Sequence, residues 1–247
     1  MKKNLFGICL FFGILLSLPT QAQFIKQMQL MTPHYYPGIV YYKDGHHEEY
    51  AEVELPRTGK SAIGVKKSAD EKKHTDIDAD DIVGIKFWHK NFPENVHILY
   101  YIHARKAMMQ SEHQWGSPVA GSDWGVLYQC EMNYEVDKKT GNLTFVKFVG
   151  GSGPDTPTLY YVVRPNNDLA DLVIWNYGFA GSKKKIAELF KENQTICEGI
   201  KSGKLKASDI QYILDEMAGG KKAETPVERI PQIQTDSASN GQVGDDE

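Results

Sequence analysis

The sequence predicts a mainly β protein, an antiparallel β-sandwich or partly open barrel of about eight strands, closed at its C-terminal end by three short helices. Three observations carry this. Trp124, Val126, Tyr128, Cys130, Met132, Tyr134 and Val136 fall on every second position, with Gln129, Glu131, Asn133 and Glu135 between them, which is the period of a half-buried strand. Asp44-Gly45 stands between two further alternating segments, a strong short-range hairpin signal. Beyond Gly181 the spacing turns helical, with Ile210, Ile213, Leu214 and Met217 at i, i+3, i+4 and i+7, one stripe facing a core.

The elements follow in order. Lys2 and Lys3 precede an apolar run over residues 5–18, and Thr20 and Ala22 suit the small-residue positions before a cleavage point. Residues 1–22 are therefore expected to be a signal peptide, and the chain to be exported, periplasmic or secreted, with no membrane span once the signal is removed. Residues 23–37 lack a sustained period and are expected to pack on a sheet edge. Strands are expected at 38–42 and 49–55 around Asp44-Gly45, at 62–66, at 82–88 after a highly charged stretch, and at 96–105. Residues 106–122, with glycines, a proline and no period, read as a long exposed loop. Residues 124–136 and 143–149 read as a long hairpin turning through Asp137 to Asn142, and 158–163 as a last strand.

Ser182 is placed to cap a first helix carrying Ile186, Leu189 and Phe190. Thr195 with Glu198 and Ser208 with Gln211 have the spacing of capping boxes for two more. Gly219-Gly220 is a natural stop. Residues 219–247 contain no aromatic residue and little aliphatic bulk, so they are expected to be a disordered tail behind one β-rich domain at 23–218.

The chain carries 28 Lys and Arg against 32 Asp and Glu. Loss of Lys2 and Lys3 leaves 26 against 32, a net charge of -6, which argues against a nucleic-acid partner. Cys130 and Cys197 remain after processing. In an oxidising compartment they are either bridged or two buried free thiols.

Candidate sites are few. Asp76, Asp78 and Asp80 have the D-x-D-x-D spacing of a calcium loop; Asp81 and Phe87 stand where its glycine and its bidentate glutamate belong, and a solvated acidic turn is the alternative. Of His46, His47, Glu48 and Glu49 at the first hairpin, His47 and Glu49 would share a strand face, but two ligands do not make a zinc site, which needs three or four, and no paired-cysteine or H-E-x-x-H spacing occurs. Gly150-Gly151-Ser152-Gly153-Pro154 has Pro154 where a nucleophile elbow needs its second glycine, and a strand rather than a helix is expected to follow. No cofactor is indicated. Aromatic residues on loops and outer faces, Trp88, Trp115 and Trp175 among them, with Tyr101, Trp124 and Tyr177, are candidates for holding a carbohydrate or peptide, against ordinary core packing. These observations favour an envelope interaction module whose ligand is a protein or a carbohydrate. The alternative is an envelope hydrolase using carboxylates such as Asp76, Asp78, Asp80 or Glu131.

The order of parts resembles a family of uncharacterised secreted proteins from Bacteroidetes-type bacteria. The resemblance rests on a signal peptide, the opening hairpin Gly38-Ile39-Val40-Tyr41-Tyr42-Lys43-Asp44-Gly45, the acidic turn into Asp80-Asp81-Ile82, a strand-rich middle with Leu127-Tyr128, and closing helices with Thr195-Ile196-Cys197. It implies fold and compartment and assigns no catalytic residue. Asp236-Ser237-Ala238 also resembles the D-S/T-A type of O-glycosylation site used on exported proteins of such bacteria, with Ser237 as acceptor. Intact-mass and N-terminal sequencing of protein recovered from its host should give a chain starting at Gln23 and bearing a glycan on Ser237. A retained Met1 on exported protein, or a bare peptide mass, contradicts the respective reading.

Overall fold

The computed structural model describes residues 32–105, 111–145, 157–165 and 167–221. The signal segment, residues 146–149 of the expected hairpin, the Ser152 loop, most of the tail and Ser237 lie outside them. The described residues form thirteen strands and three α-helices. The strands are β1 (Tyr35–Tyr42), β2 (His47–Glu54), β3 (Ala62–Lys66), β4 (Thr75–Asp78), β5 (Ile82–His89), β6 (Phe92–His103) and β7 (His113–Ser122). After these come β8 (Gly125–Cys130), β9 (Tyr134–Val136), β10 (Leu143–Phe145), β11 (Leu159–Val163), β12 (Asp171–Trp175) and β13 (Gly178–Phe179). The helices are α1 (Lys183–Leu189), α2 (Gln194–Ser202) and α3 (Ile210–Met217).

Eleven strands make one antiparallel sheet in the order β13-β12-β11-β8-β7-β6-β5-β1-β2-β3-β4, and β9 and β10 form a separate two-stranded sheet among the described residues. The strand count thus exceeds the expected eight, and the sheet is not closed. It does roll on itself. The β2–β3 connection reaches across to Met132 and His113, whose carbonyls accept from Thr58 N–H at 3.2 Å and Gly59 N–H at 3.0 Å. A single parallel bridge, Ala104 to Ala170, brings the end of β6 against the start of β12.

The Asp44-Gly45 hairpin forms as expected, with Gly45 at φ +94°. The long strand expected at 124–136 does not. It breaks after Cys130, because Glu131 is buried and Asn133 turns away to bridge Arg57. The hairpin survives as the short β9–β10 pair, whose turn is held by Asp137 Oδ1 accepting from the N–H groups of Lys139 and Thr140 at 2.8 Å each.

The expected loop at 106–122 is largely strand β7. Its glycines and proline are strand residues of a particular kind. A Cβ on Gly116 would lie 2.7 Å from Cys130 Sγ, so the missing side chain makes room for the neighbouring strand. Pro118 sits at a register shift against β8, where its absent N–H costs no ladder bond.

The helices cover one face of the sheet. Leu127, Val162, Val173 and Ile174 meet Ile186, Phe190, Ile196, Ile200, Ile213 and Leu214 there. Each such side chain contributes roughly 1.5–3 kcal/mol by leaving water. Gln211 fixes α3 on β7, its amide accepting from Gly121 N–H at 3.3 Å and donating to Gly121 O at 3.0 Å. Ser182 caps α1 as expected, accepting from Lys185 N–H. Asn193 rather than Thr195 caps α2. Asp209 rather than Ser208 ties the turn before α3, accepting from Lys206 N–H at 2.8 Å. No helix of the described residues is long and apolar enough to cross a membrane.

The Cys130–Cys197 bridge is absent: both are buried free thiols. On β8, Leu127 faces the helices, whereas Val126, Tyr128 and Cys130 pack into a separate cluster with Tyr100, Ile102 and Tyr161. Cys197 belongs to the helix side, so the sheet itself stands between the two sulfurs. Burial, then the nearby charge of Glu131, pushes the Cys130 thiol well above its usual range. Native mature protein should therefore leave Cys130 unmodified by a thiol reagent at mildly alkaline pH, while denatured protein gives two reactive thiols. A dithiothreitol-dependent fall in melting temperature would contradict the assignment.

Candidate functional site

The carboxylates proposed for calcium are not gathered around a point. Asp76 and Asp78 lie on edge strand β4, Asp78 Oδ1 caps the following turn by accepting from Asp80 N–H at 2.9 Å, and Asp80 Oδ1 accepts from the Tyr101 hydroxyl at 2.8 Å. Among the described residues no three His, Cys, Asp or Glu side chains are grouped to hold a metal ion. Of the aromatic candidates, Trp115 is 1 % exposed and fills the core beside Tyr134 and Phe87, which removes it from ligand contact. Trp88 is half-buried on β5. Trp175 is 41 % exposed and Tyr177, two residues on, 93 % exposed.

Trp175 and Tyr177 occupy the tip of the β12–β13 hairpin, at one edge of the main sheet. The tip is built by a polar relay running up from the interior. Glu131, buried just beyond β8, accepts through Oε1 from Gln129 Nε2 and from Thr158 Oγ1, each at 2.9 Å. Thr158 in turn grips Asn176: its N–H donates to Asn176 Oδ1 at 3.0 Å and its carbonyl accepts from Asn176 N–H at 2.8 Å. Asn176 holds φ +55°, a left-handed conformation that Asn tolerates better than other side-chain-bearing residues. Tyr160 on β11 stands nearby, its hydroxyl pushed above the ordinary range by burial and then by the charges of Glu131 and Tyr177. The arrangement anchors the backbone that carries the two exposed rings, a surface suited to stacking on a flat apolar face or a sugar ring.

Glu131 is thereby a structural carboxylate. Its bonded donors are neutral side chains, and it spans β8 and β11 rather than facing a second acid across a cleft. Asp80 forms a different cluster with Tyr101 and His113. The Tyr101 hydroxyl donates to Asp80, so His113 Nδ1, 2.7 Å away, serves as the donor to it. His103 stacks parallel to His113 with ring centres 6.4 Å apart. The Tyr101 hydrogen bond holds Asp80 below the usual carboxylate range. That direction keeps the group ionised, the opposite of what a general acid needs.

A concave polar feature lies at the other end of β12. Asp171, its side chain 8 % exposed, takes Arg105 Nε at 3.1 Å on one oxygen and Arg164 Nη2 at 3.2 Å on the other. The Arg164 guanidinium sits 5.6 Å over the Trp124 ring, and Trp124 Nε1 donates to Glu192 Oε2 at 3.0 Å. Around these groups a cleft of about 590 Å³ opens towards α1, and an adjoining lobe of about 500 Å³ runs past Trp124 and Pro165. Sequence reasoning missed this site because Arg105 and Asp171 are 66 positions apart. Only the run Lys183-Lys184-Lys185 was visible as a local signal.

No family model, curated protein or solved structure matches the chain. What the fold and sites define is a rolled antiparallel β protein with a helical cover, presenting an aromatic hairpin tip and a basic cleft.

Replacing Glu131 by Ala strands the Thr158 hydroxyl and the Gln129 amide, an expected loss of about 1–3 kcal/mol in urea unfolding. It should also raise the exchange rate of the Asn176 N–H more than those in β1 and β5. Unchanged exchange at Asn176 would show that the relay does not anchor the tip.

Proposed function

We propose that the protein is an exported, non-catalytic binding module of the cell envelope. In this reading the rolled sheet, a partly open barrel, is a scaffold, and the β12–β13 tip meets a carbohydrate or protein ligand. The observation that carries it is the exposed pair Trp175 and Tyr177 on a tip anchored from within. Large apolar rings left in water by a chain that buries Trp115, Tyr161 and Phe87 completely are poorly explained by folding alone. Anchoring lowers the entropy lost when a ligand is bound. The hydrolase reading finds less support, since Glu131 is engaged by the anchor and Asp80 is held ionised by Tyr101.

The test is co-sedimentation of the purified chain with polysaccharide and protein fractions of its host's envelope. Wild type should be retained by one fraction. The Trp175→Ala/Tyr177→Ala pair should bind at least about tenfold more weakly, as two lost ring contacts imply, with an unchanged melting temperature. Undiminished binding by the pair, or retention of wild type by neither fraction, would refute the proposal.

A further inference from the structure

We infer that the cleft between α1 and the Arg105–Asp171–Arg164 cluster binds a small phosphomonoester of sugar size. The site is separate from the aromatic tip, and the inference does not rest on the reading of that tip.

Charge is the first argument. One wall carries Arg105 and Arg164 on Asp171; the facing helix α1 brings Lys184 and Lys185 with Glu188, and the turn after it brings Lys191 and Glu192. Five cations against three carboxylates leave a surplus of two positive charges around this lobe, in a chain whose net charge is -4. A phosphomonoester carries close to two negative charges at neutral pH. Lys191 is within 3.4 Å of Glu188, whereas Lys184 and Lys185 make no ion pair among the described residues. The lysines also stand in the first turn of α1, with no acidic residue there to offset them, where a helix disfavours cations. Unpaired like charges gathered in an unfavourable place are relieved by an incoming anion.

Geometry is the second argument. Asp171 occupies only Nε of Arg105 and one terminal nitrogen of Arg164. Both guanidiniums therefore keep N–H groups beyond this bridge, and Arg105 is 60 % exposed. Asp171 and Trp124 hold Arg164 between them, so its donors are already positioned, and a guanidinium edge matches two phosphate oxygens at once. A volume of about 590 Å³ takes a body of sugar size in addition to the phosphoryl group. A long polyanion fits less well, because beyond the cleft it would meet a chain whose net charge is -4.

Calorimetric titration of the whole chain at low salt with glucose 6-phosphate, inorganic phosphate and glucose tests this. Glucose 6-phosphate should bind, with affinity falling as salt rises and as pH drops below the second phosphate pKa of about 6; glucose should not. The Lys184→Gln/Lys185→Gln variant, altered at two exposed positions, should keep its melting temperature and bind about tenfold more weakly. The Trp175→Ala/Tyr177→Ala pair should bind as wild type, which keeps this outcome separate from that of the tip. Absence of heat at millimolar glucose 6-phosphate, or equal affinity in the lysine variant, would overturn the inference. Equal affinity for inorganic phosphate would overturn the sugar-sized ligand, and binding to phosphatidic acid vesicles in place of the soluble ester would overturn a free solute.

Discussion

Strand β8 has to be buried on both faces at once, and much of the surrounding architecture follows from meeting that demand. Leu127 on one face needs the helices; Val126, Tyr128 and Cys130 on the other need Tyr100, Ile102 and Tyr161. Antiparallel sheets commonly leave one face to water. Here the sheet supplies a second cover by rolling, so that β6, β8, β11 and the start of β12 contribute to one cluster. The fit is close enough that Gly116 must lack a side chain where β7 passes Cys130.

Covering both faces leaves polar groups inside, and how they are paired shapes the surface. Glu131 is the main case. With Gln129 and Thr158 bonded to it, a carboxylate that would be expensive to bury alone becomes the root of a relay ending at Asn176. Internal satisfaction and external presentation are the same set of bonds, so the two exposed rings sit where the interior places them.

The cleft at the opposite end of β12 has a related logic. Asp171 is nearly buried at the seam where Ala104 meets Ala170, and two arginines neutralise it. Arg164 bonds Asp171 from the end of β11 and Arg105 does so from the end of β6, so the bridge helps hold the roll. The guanidinium edges left over, with the lysines of α1, then make a basic surface on an acidic chain.

Local pattern by itself determined the β class, the Asp44-Gly45 hairpin, the Asp137–Asn142 turn and three closing helices, because each depends on side-chain period or turn chemistry within a few residues. The exposed position of Trp175 was among the expectations; Trp115 was misplaced, since residues 106–122 read as an exposed loop, whereas strand β7 turns its ring into the core. Strand β7 was hidden because Gly116 and Pro118 read as breakers until the neighbouring sulfur and the register shift are seen. The break after Cys130, the thiols on opposite sides of the sheet, the Glu131 relay and the Arg105–Asp171–Arg164 cleft were decided only in three dimensions. Each joins residues whose meeting depends on how the sheet rolls, and a roll is set by long-range packing that leaves no period in the chain.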